Sequence, residues 1–149
     1  MKFLVAVDGS NAARNALTYA AEIADAMDAS ITAVHAIDPE VFEEGGTEPI
    51  TGFADAGRRL VIENIEATEE RGLALLEDIE ALADDEAISI ETVLLYGDPV
   101  TAVTDYAEDV DADTIFVGHR GRSERTDLML GSVAKSIVER ATVPVTVVR

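Results

Sequence analysis

Lys2-Phe3-Leu4-Val5-Ala6-Val7-Asp8-Gly9-Ser10 is the stretch that decides the fold class. Lys2 to Val7 is an apolar run too short for a helix, and Asp8-Gly9-Ser10 ends it, which predicts a buried parallel strand running into a tight turn. Ser10 then stands where a helix N-cap belongs. Beyond it, Ala13, Ala16, Leu17, Ala20, Ala24 and Met27 recur at steps of three and four, with Glu22, Asp25 and Asp28 between them. That spacing predicts one amphipathic helix with its apolar stripe turned to a core.

The same alternation repeats along the chain. Ile31 to Ile37 is a second strand, and the stretch to about Asp55, with Gly45, Gly46, Pro49 and Gly52, has no sustained period and reads as a long loop. A second helix is expected from about Gly57 to Ala83, with Leu75, Leu76, Ile79, Leu82 and Ala83 on its buried stripe and a kink at Gly72. Ile88 to Tyr96 is a third strand. Gly97-Asp98-Pro99 follows as turn, N-cap and a proline at the first helical position, where its missing N–H costs nothing. Val100, Val103, Ala107 and Val110 mark the inner face of that helix, Thr114 to Val117 a fourth strand, and Gly118 to Leu130 a loop. Val133, Ala134, Ile137, Val138 and Ala141 define a last helix, and Val145 to Val148 closes the sheet. Strand and helix alternate throughout, so the expected architecture is α/β: an open five-stranded parallel sheet, order 3-2-1-4-5, with helices on both faces. Ligands of such sheets bind beyond the carboxyl ends of the strands where the order reverses, here between strands 1 and 4.

Composition narrows the function classes. The 149 residues suit one domain, 1–149, with a real core. No segment resembles a signal peptide or approaches the ~20 apolar residues of a membrane span, so a cytoplasmic protein without membrane contact is expected. The absence of cysteine removes disulfides, thiolate nucleophiles and cysteine metal sites. A formal net charge of -19 is spread along the chain and would repel nucleic acid. Lys2 and Lys135 are the only lysines among 11 positive residues, a balance that points to a halophilic, salt-loaded cytoplasm. There the Debye length falls to about 3 Å near 1 M salt, and such self-repulsion becomes tolerable.

The chemistry concentrates in Gly118-His119-Arg120-Gly121, nine residues, then Gly131-Ser132, placed after a buried strand and opening a helix. A phosphate chain needs inward-pointing N–H groups; glycines let the main chain come close, and a helix N-terminus adds a favourable dipole. Ser132 adds a hydroxyl donor or a metal ligand. Arg120, Arg122 and Arg125 crowd six residues of a chain otherwise poor in positive charge, either as phosphate ligands or as partners of surface acids. Asp8 ends strand 1 at the same crevice, where its carboxylate can accept from a ribose hydroxyl, help hold magnesium, or stabilise the turn. His35, inside an apolar strand, reads as a core or crevice histidine; His119 is either a phosphate contact or a plain loop residue. The acid pairs Glu43-Glu44, Glu69-Glu70 and Asp84-Asp85 read as solvated faces.

Val5-Ala6-Val7-Asp8-Gly9-Ser10, Gly97-Asp98-Pro99, Gly118 to Ser132 and Val143-Pro144-Val145 together resemble the universal stress protein family over essentially the whole chain, and the glycine pattern resembles its ATP-binding branch. The resemblance implies that Ala6, Asp8 and Ala36 line the adenosine side. Val117 would also touch the nucleotide, Gly118, His119, Arg120, Gly121 and Arg122 would wrap the phosphates, and Gly131, Ser132, Val133 and Ala134 would supply the helix-start donors. His119 and Ala134 stand where members often carry serine or threonine, so side-chain contacts there would be lost while backbone donors survive. The resemblance also implies a homodimer joined through the last strand, where Pro144-Val145-Thr146-Val147-Val148 would otherwise leave an edge exposed. The function so implied is stress signalling by ATP-dependent conformational change and binding of a protein partner. The alternative is a slow magnesium-dependent ATPase or phosphotransferase using Asp8 and Ser132, although no Gly-Lys-Ser/Thr loop and no evident base support it. A flavodoxin would carry a hydroxyl-rich loop in place of Gly9-Ser10-Asn11-Ala12-Ala13, and a phospho-receiver an aspartate where Tyr96-Gly97 stands.

Overall fold

A computed structural model describes residues 1–38, 54–120 and 130–149, and over 54–64 the backbone course alone. The expected long loop after the second strand and most of the loop after the fourth lie outside the described residues. In chain order the elements are β1 (Lys2–Ala6), α1 (Asn11–Met27), β2 (Ser30–Ile37), α2 (Ala54–Asp85), β3 (Glu91–Tyr96), α3 (Pro99–Asp109), β4 (Thr114–Gly118), α4 (Ser132–Arg140) and β5 (Val145–Val148). The five strands form one sheet in the order β3-β2-β1-β4-β5, with every neighbouring pair parallel, as the alternation predicts.

Strand periodicity sorts the core into two layers. Phe3, Val5 and Val7 point to one face with Ile31, Ala33 and Phe116, and there they meet Ala16, Leu17 and Ala20 of α1 and Leu76 and Ile79 of α2. Leu4, Val34, Ile115 and Val117 point to the other face and meet Val103 and Ala107 of α3 and Ala134 and Ile137 of α4. The helices therefore flank the sheet in pairs. From the central pair β1 and β4 the chain winds outward in opposite directions, so a crevice opens between their carboxyl ends.

Local signals set most helix ends. Ser10 Oγ accepts from the N–H of Ala13 at 3.1 Å, and Asp98 Oδ2 accepts from the N–H of Thr101 at 3.0 Å with Pro99 opening α3. The end of α2 runs further than its apolar stripe suggests. Ala87 takes a left-handed φ of 57°, and the N–H of Ile88 turns back to the Ala83 carbonyl at 2.7 Å, so Ile88 closes the helix and β3 begins only at Glu91. Gly72 has a packing role rather than only a place for a kink. A Cβ there would lie 2.9 Å from Leu94 Cδ1 and 3.1 Å from Ile37 Cγ2, so its absence lets α2 come down onto the sheet.

Three residues assigned to buried stripes are exposed. Met27 is the last residue of α1, where left-handed Asp28 already ends the helix, and it is 47% exposed. In the nine residues of α4 only Ala134 and Ile137 are buried. Val133 and Val138 sit one position outside that pair, about 100° off its face, and are 45% and 47% exposed.

Candidate functional site

The crevice between β1 and β4 holds a cleft of about 300 Å³. Its inner wall is the open end of the second core layer: Val34, Val103, Val117, Ala134 and Ile137 all face it. Its mouth is polar, with Asp8 and Ser10 from the β1–α1 turn, Arg120 beyond β4, and Ser132 at the start of α4. An apolar slot with a few polar groups at its rim suits a flat, partly apolar ligand with a charged end.

The electrostatics of the rim come chiefly from α4. Its N-cap is Gly131, with φ -60° and ψ 152°, and no side chain caps the helix. The first helical bond is donated by Lys135 to the Gly131 carbonyl at 3.0 Å, so the N–H groups of Ser132, Val133 and Ala134 have no carbonyl within the helix to bind. All three residues line the cleft. The Gly131 N–H is already engaged with the His119 carbonyl at 2.8 Å, which reduces the expected set of helix-start donors from four to these three. By contrast α1 and α3 are closed by Ser10 and Asp98.

Asp8 and His35 are fixed by neighbouring backbone. Asp8 Oδ1 accepts from the Ser10 N–H at 2.9 Å, so the carboxylate does hold the turn; its second oxygen has no donor among the described residues. The turn also depends on Gly9, whose φ of 81° is costly for any residue with a Cβ. His35 Nδ1 lies 2.8 Å from the Val7 carbonyl. A carbonyl only accepts, so Nδ1 carries the proton, and the ring lies on the α1/α2 face of the sheet, where its Cδ2 edge lies beside Gly72.

Of the residues expected at the site, the structure brings Ala6, Asp8, Ala36, Val117, Gly118, Arg120, Gly131, Ser132, Val133 and Ala134 around one cleft. His119 is not on its wall; instead its N–H donates to the Val148 carbonyl at 2.6 Å and its carbonyl receives the Gly131 N–H, pinning α4 to β5. Gly121, Arg122 and Arg125 lie outside the described residues. Gly118 serves packing: a Cβ there would lie 2.8 Å from the Ala12 carbonyl carbon and 2.9 Å from the Ala13 nitrogen, so α1 can start against β4 only over a glycine. Val34, His35, Pro99, Val103 and Ile137 also line the cleft beyond the expected set. His35 is already a core or crevice candidate by sequence and Pro99 follows a turn, whereas the apolar spacing of Val34, Val103 and Ile137 reads as core.

The family model for the universal stress protein family matches residues 1–149. The chain belongs to this family. The family's universal stress protein YxiE of Bacillus subtilis is 30% identical to it over 148 residues, covering 99% of this chain and 98% of that protein. A solved universal stress protein from Archaeoglobus fulgidus superposes with a TM-score of 0.73 at 26% identity, covering 100% of this chain and 98% of that one. Two further structures share the fold of the family. One is a universal stress protein in complex with cAMP, with a TM-score of 0.65 and 24% identity, covering 100% of this chain and 96% of that one. The other is the Arabidopsis thaliana family protein with AMP bound, with a TM-score of 0.64 and 22% identity, covering 99% of this chain and 90% of that one.

Proposed function

We propose that this universal stress protein works by binding ATP or a related adenine nucleotide in the cleft between β1 and β4, as a signalling protein rather than as a catalyst. The observation that carries this is the uncapped N-terminus of α4, which directs the N–H groups of Ser132, Val133 and Ala134 at the mouth of an apolar slot. The base takes the slot between Ala6, Ala36 and Val117, the Asp8 carboxylate accepts from ribose hydroxyls, and the first phosphate sits on the α4 N-terminus beside Ser132 Oγ. Later phosphates run along the Gly118–Arg122 segment, where Arg120 and Arg122 offset their charge. Magnesium typically takes one or two protein ligands with substrate phosphates and water. The fitting donors here are Asp8 and the Ser132 hydroxyl, and the ion would draw its remaining ligands from the phosphates. The cAMP and AMP bound by fold relatives support an adenine nucleotide as the ligand class. Turnover finds little support, because the chain has no Gly-Lys-Ser/Thr loop and Asp8 is given to the ribose and the turn.

The remaining parts of the proposal follow from charge and edges. The chain acts as one domain in the cytoplasm of a salt-tolerant cell, without binding nucleic acid, and its nucleotide state is read by a protein partner during stress. It forms a homodimer through β5. Of the two sheet edges, β3 carries Glu91, and its Thr92 and Tyr96 hydroxyls donate to Glu80 and Glu69 of α2, so carboxylates guard it. Val145-Thr146-Val147-Val148 has no charged side chain, and exposed Val138 lies on the helix beside it.

The test is to identify any nucleotide released on denaturation and then to titrate ATP, AMP and cAMP into the emptied protein and into Gly131→Asp. Binding by the wild type, weakened at least about tenfold by a carboxylate at the α4 cap, supports the proposal. A folded wild type that binds none of the three removes it and leaves nucleotide-independent partner binding as the function.

A further inference from the structure

A second cleft of about 660 Å³ lies on the other side of the β1 and β2 ends, between the first turn of α1 and the middle of α2. It shares Asp8 and His35 with the nucleotide cleft but opens on the opposite face of the sheet, over a floor of Ile37, Leu75 and Ile79. Arg14 and Arg71, from two different helices, stand at its rim.

Arg14 sits in the first turn of α1, where the helix dipole favours a carboxylate and disfavours a cation. The chain has 30 acidic residues and places none of them in that turn. Its guanidinium makes no hydrogen bond or ion pair among the described residues. Arg71 is oriented by donating from Nη2 to Thr68 Oγ1 at 3.2 Å, and it too has no carboxylate partner among those residues. Asp8 and Asp78 also line the cleft, and neither is within ion-pair distance of Arg14 or Arg71. Two guanidiniums without a carboxylate partner among the described residues, at the rim of an apolar floor, have no evident role there in stabilising the fold.

We propose that this cleft is a second ligand site, in which Arg14 and Arg71 together hold the phosphate group of a small compound. Guanidinium forks suit phosphate oxygens, and Arg14 and Arg71 bring two of them to the rim of one cleft from separate helices. The site is distinct from the nucleotide cleft and does not require that cleft to bind a nucleotide.

Nuclear magnetic resonance of the full chain tests the proposal, reading the side-chain Nε–H signals of Arg14 and Arg71 and the backbone amides of Ser132 to Ala134. Inorganic phosphate and phenyl phosphate are titrated separately, with and without AMP. The expected result is a saturable shift of both arginine signals whether or not AMP is present, weakened about fivefold or more in Arg14→Gln and in Arg71→Gln. Tighter binding of phenyl phosphate assigns the ligand as an organic phosphate using the apolar floor; equal binding assigns free phosphate. Shifts confined to Ser132–Ala134, or both variants binding like wild type, overturn the second site. AMP shifts at Ser132–Ala134 report the nucleotide cleft separately, so either site can fail without the other.

Discussion

Replacing Gly118 with alanine separates two reasons for a glycine at the mouth of the cleft. If Gly118 is there to let a phosphate approach, an added methyl should weaken binding and spare the fold. The structure gives the opposite order. The methyl carbon would lie 2.8 Å from the Ala12 carbonyl carbon and 2.9 Å from Ala12 Cβ and the Ala13 nitrogen, against an ordinary contact of about 3.5–4.0 Å. Two of these neighbours are backbone, and the first turn of α1 cannot easily retreat. Ser10 caps it, Asp8 fixes the turn before it, and the Arg14 N–H already bonds the Ser10 carbonyl at 3.2 Å. Overpacking of this kind costs about 1–3 kcal/mol, and a clash with backbone belongs in the upper part of that range. The lost freedom of the unfolded chain returns about 0.4–1 kcal/mol. The net loss is about 1–2.5 kcal/mol, or roughly 2–10 °C in melting temperature for a chain of this size. Calorimetry of wild type and Gly118→Ala in the same buffer, followed by ATP titration well below both transitions, measures both effects. An unchanged melting temperature with abolished binding would refute the packing account and return Gly118 to the phosphate.

Gly131→Asp should behave in the reverse sense. Its extended φ and ψ suit any residue, a carboxylate there caps α4 and gains a few tenths of a kcal/mol in thermal melts, and nucleotide affinity falls in the same sample. Ser10→Ala should cost about 1 kcal/mol in denaturant titration, because the Ala13 N–H loses its acceptor at the start of α1. The Tyr96 hydroxyl donates to Glu69, and the carboxylate favours the protonated phenol, so its pKa lies above the ordinary 10.0. The folded value then exceeds the unfolded one, so this stabilisation is present below about pH 10 and is lost as pH rises through the folded value. Phenolate absorbance, taken as the difference from Tyr96→Phe, should show the raised midpoint, and Glu69→Gln should lower it. Potassium chloride raised from about 0.1 to 1 M should increase the melting temperature, since screening shortens from about 10 to 3 Å; better folding in dilute buffer would remove the salt-tolerant cell from the proposal.

The order of elements was legible because its signals are local. Short apolar runs ended by Asp8-Gly9-Ser10 or Gly97-Asp98-Pro99 specify strands and helix starts, whatever the rest of the chain does. The wall of the cleft was only half legible. Asp8, Gly118 and Ser132 stand at turns that announce themselves, whereas Val34, Val103 and Ile137 reach the cleft simply because the core layer ends there. Roles that depend on a distant partner were not legible at all. Gly118 looks like a phosphate-loop glycine until Ala12 is placed against it, and Gly131 looks like a donor until His119 takes its N–H. The exposure of Val133 and Val138 has the same origin: nine residues of helix bury one narrow stripe, and apolar composition alone does not say which residues fall on it.

The treatment of helix starts is where stability and function part. In α1 and α3 a side chain meets the free N–H groups, each at a gain of about 1 kcal/mol, so this sequence supplies such caps where they serve the fold. In α4 it places Gly131, whose backbone geometry would accept serine or aspartate, and leaves three N–H groups facing the cleft. His119 then ties the Gly131 N–H and the end of β5 together, so the open helix end is held in place by backbone alone. A capping side chain would stabilise that helix and occupy the donors a phosphate needs. The missing cap is therefore better explained by a ligand than by the fold, and the stability forgone at α4 should return when the nucleotide binds.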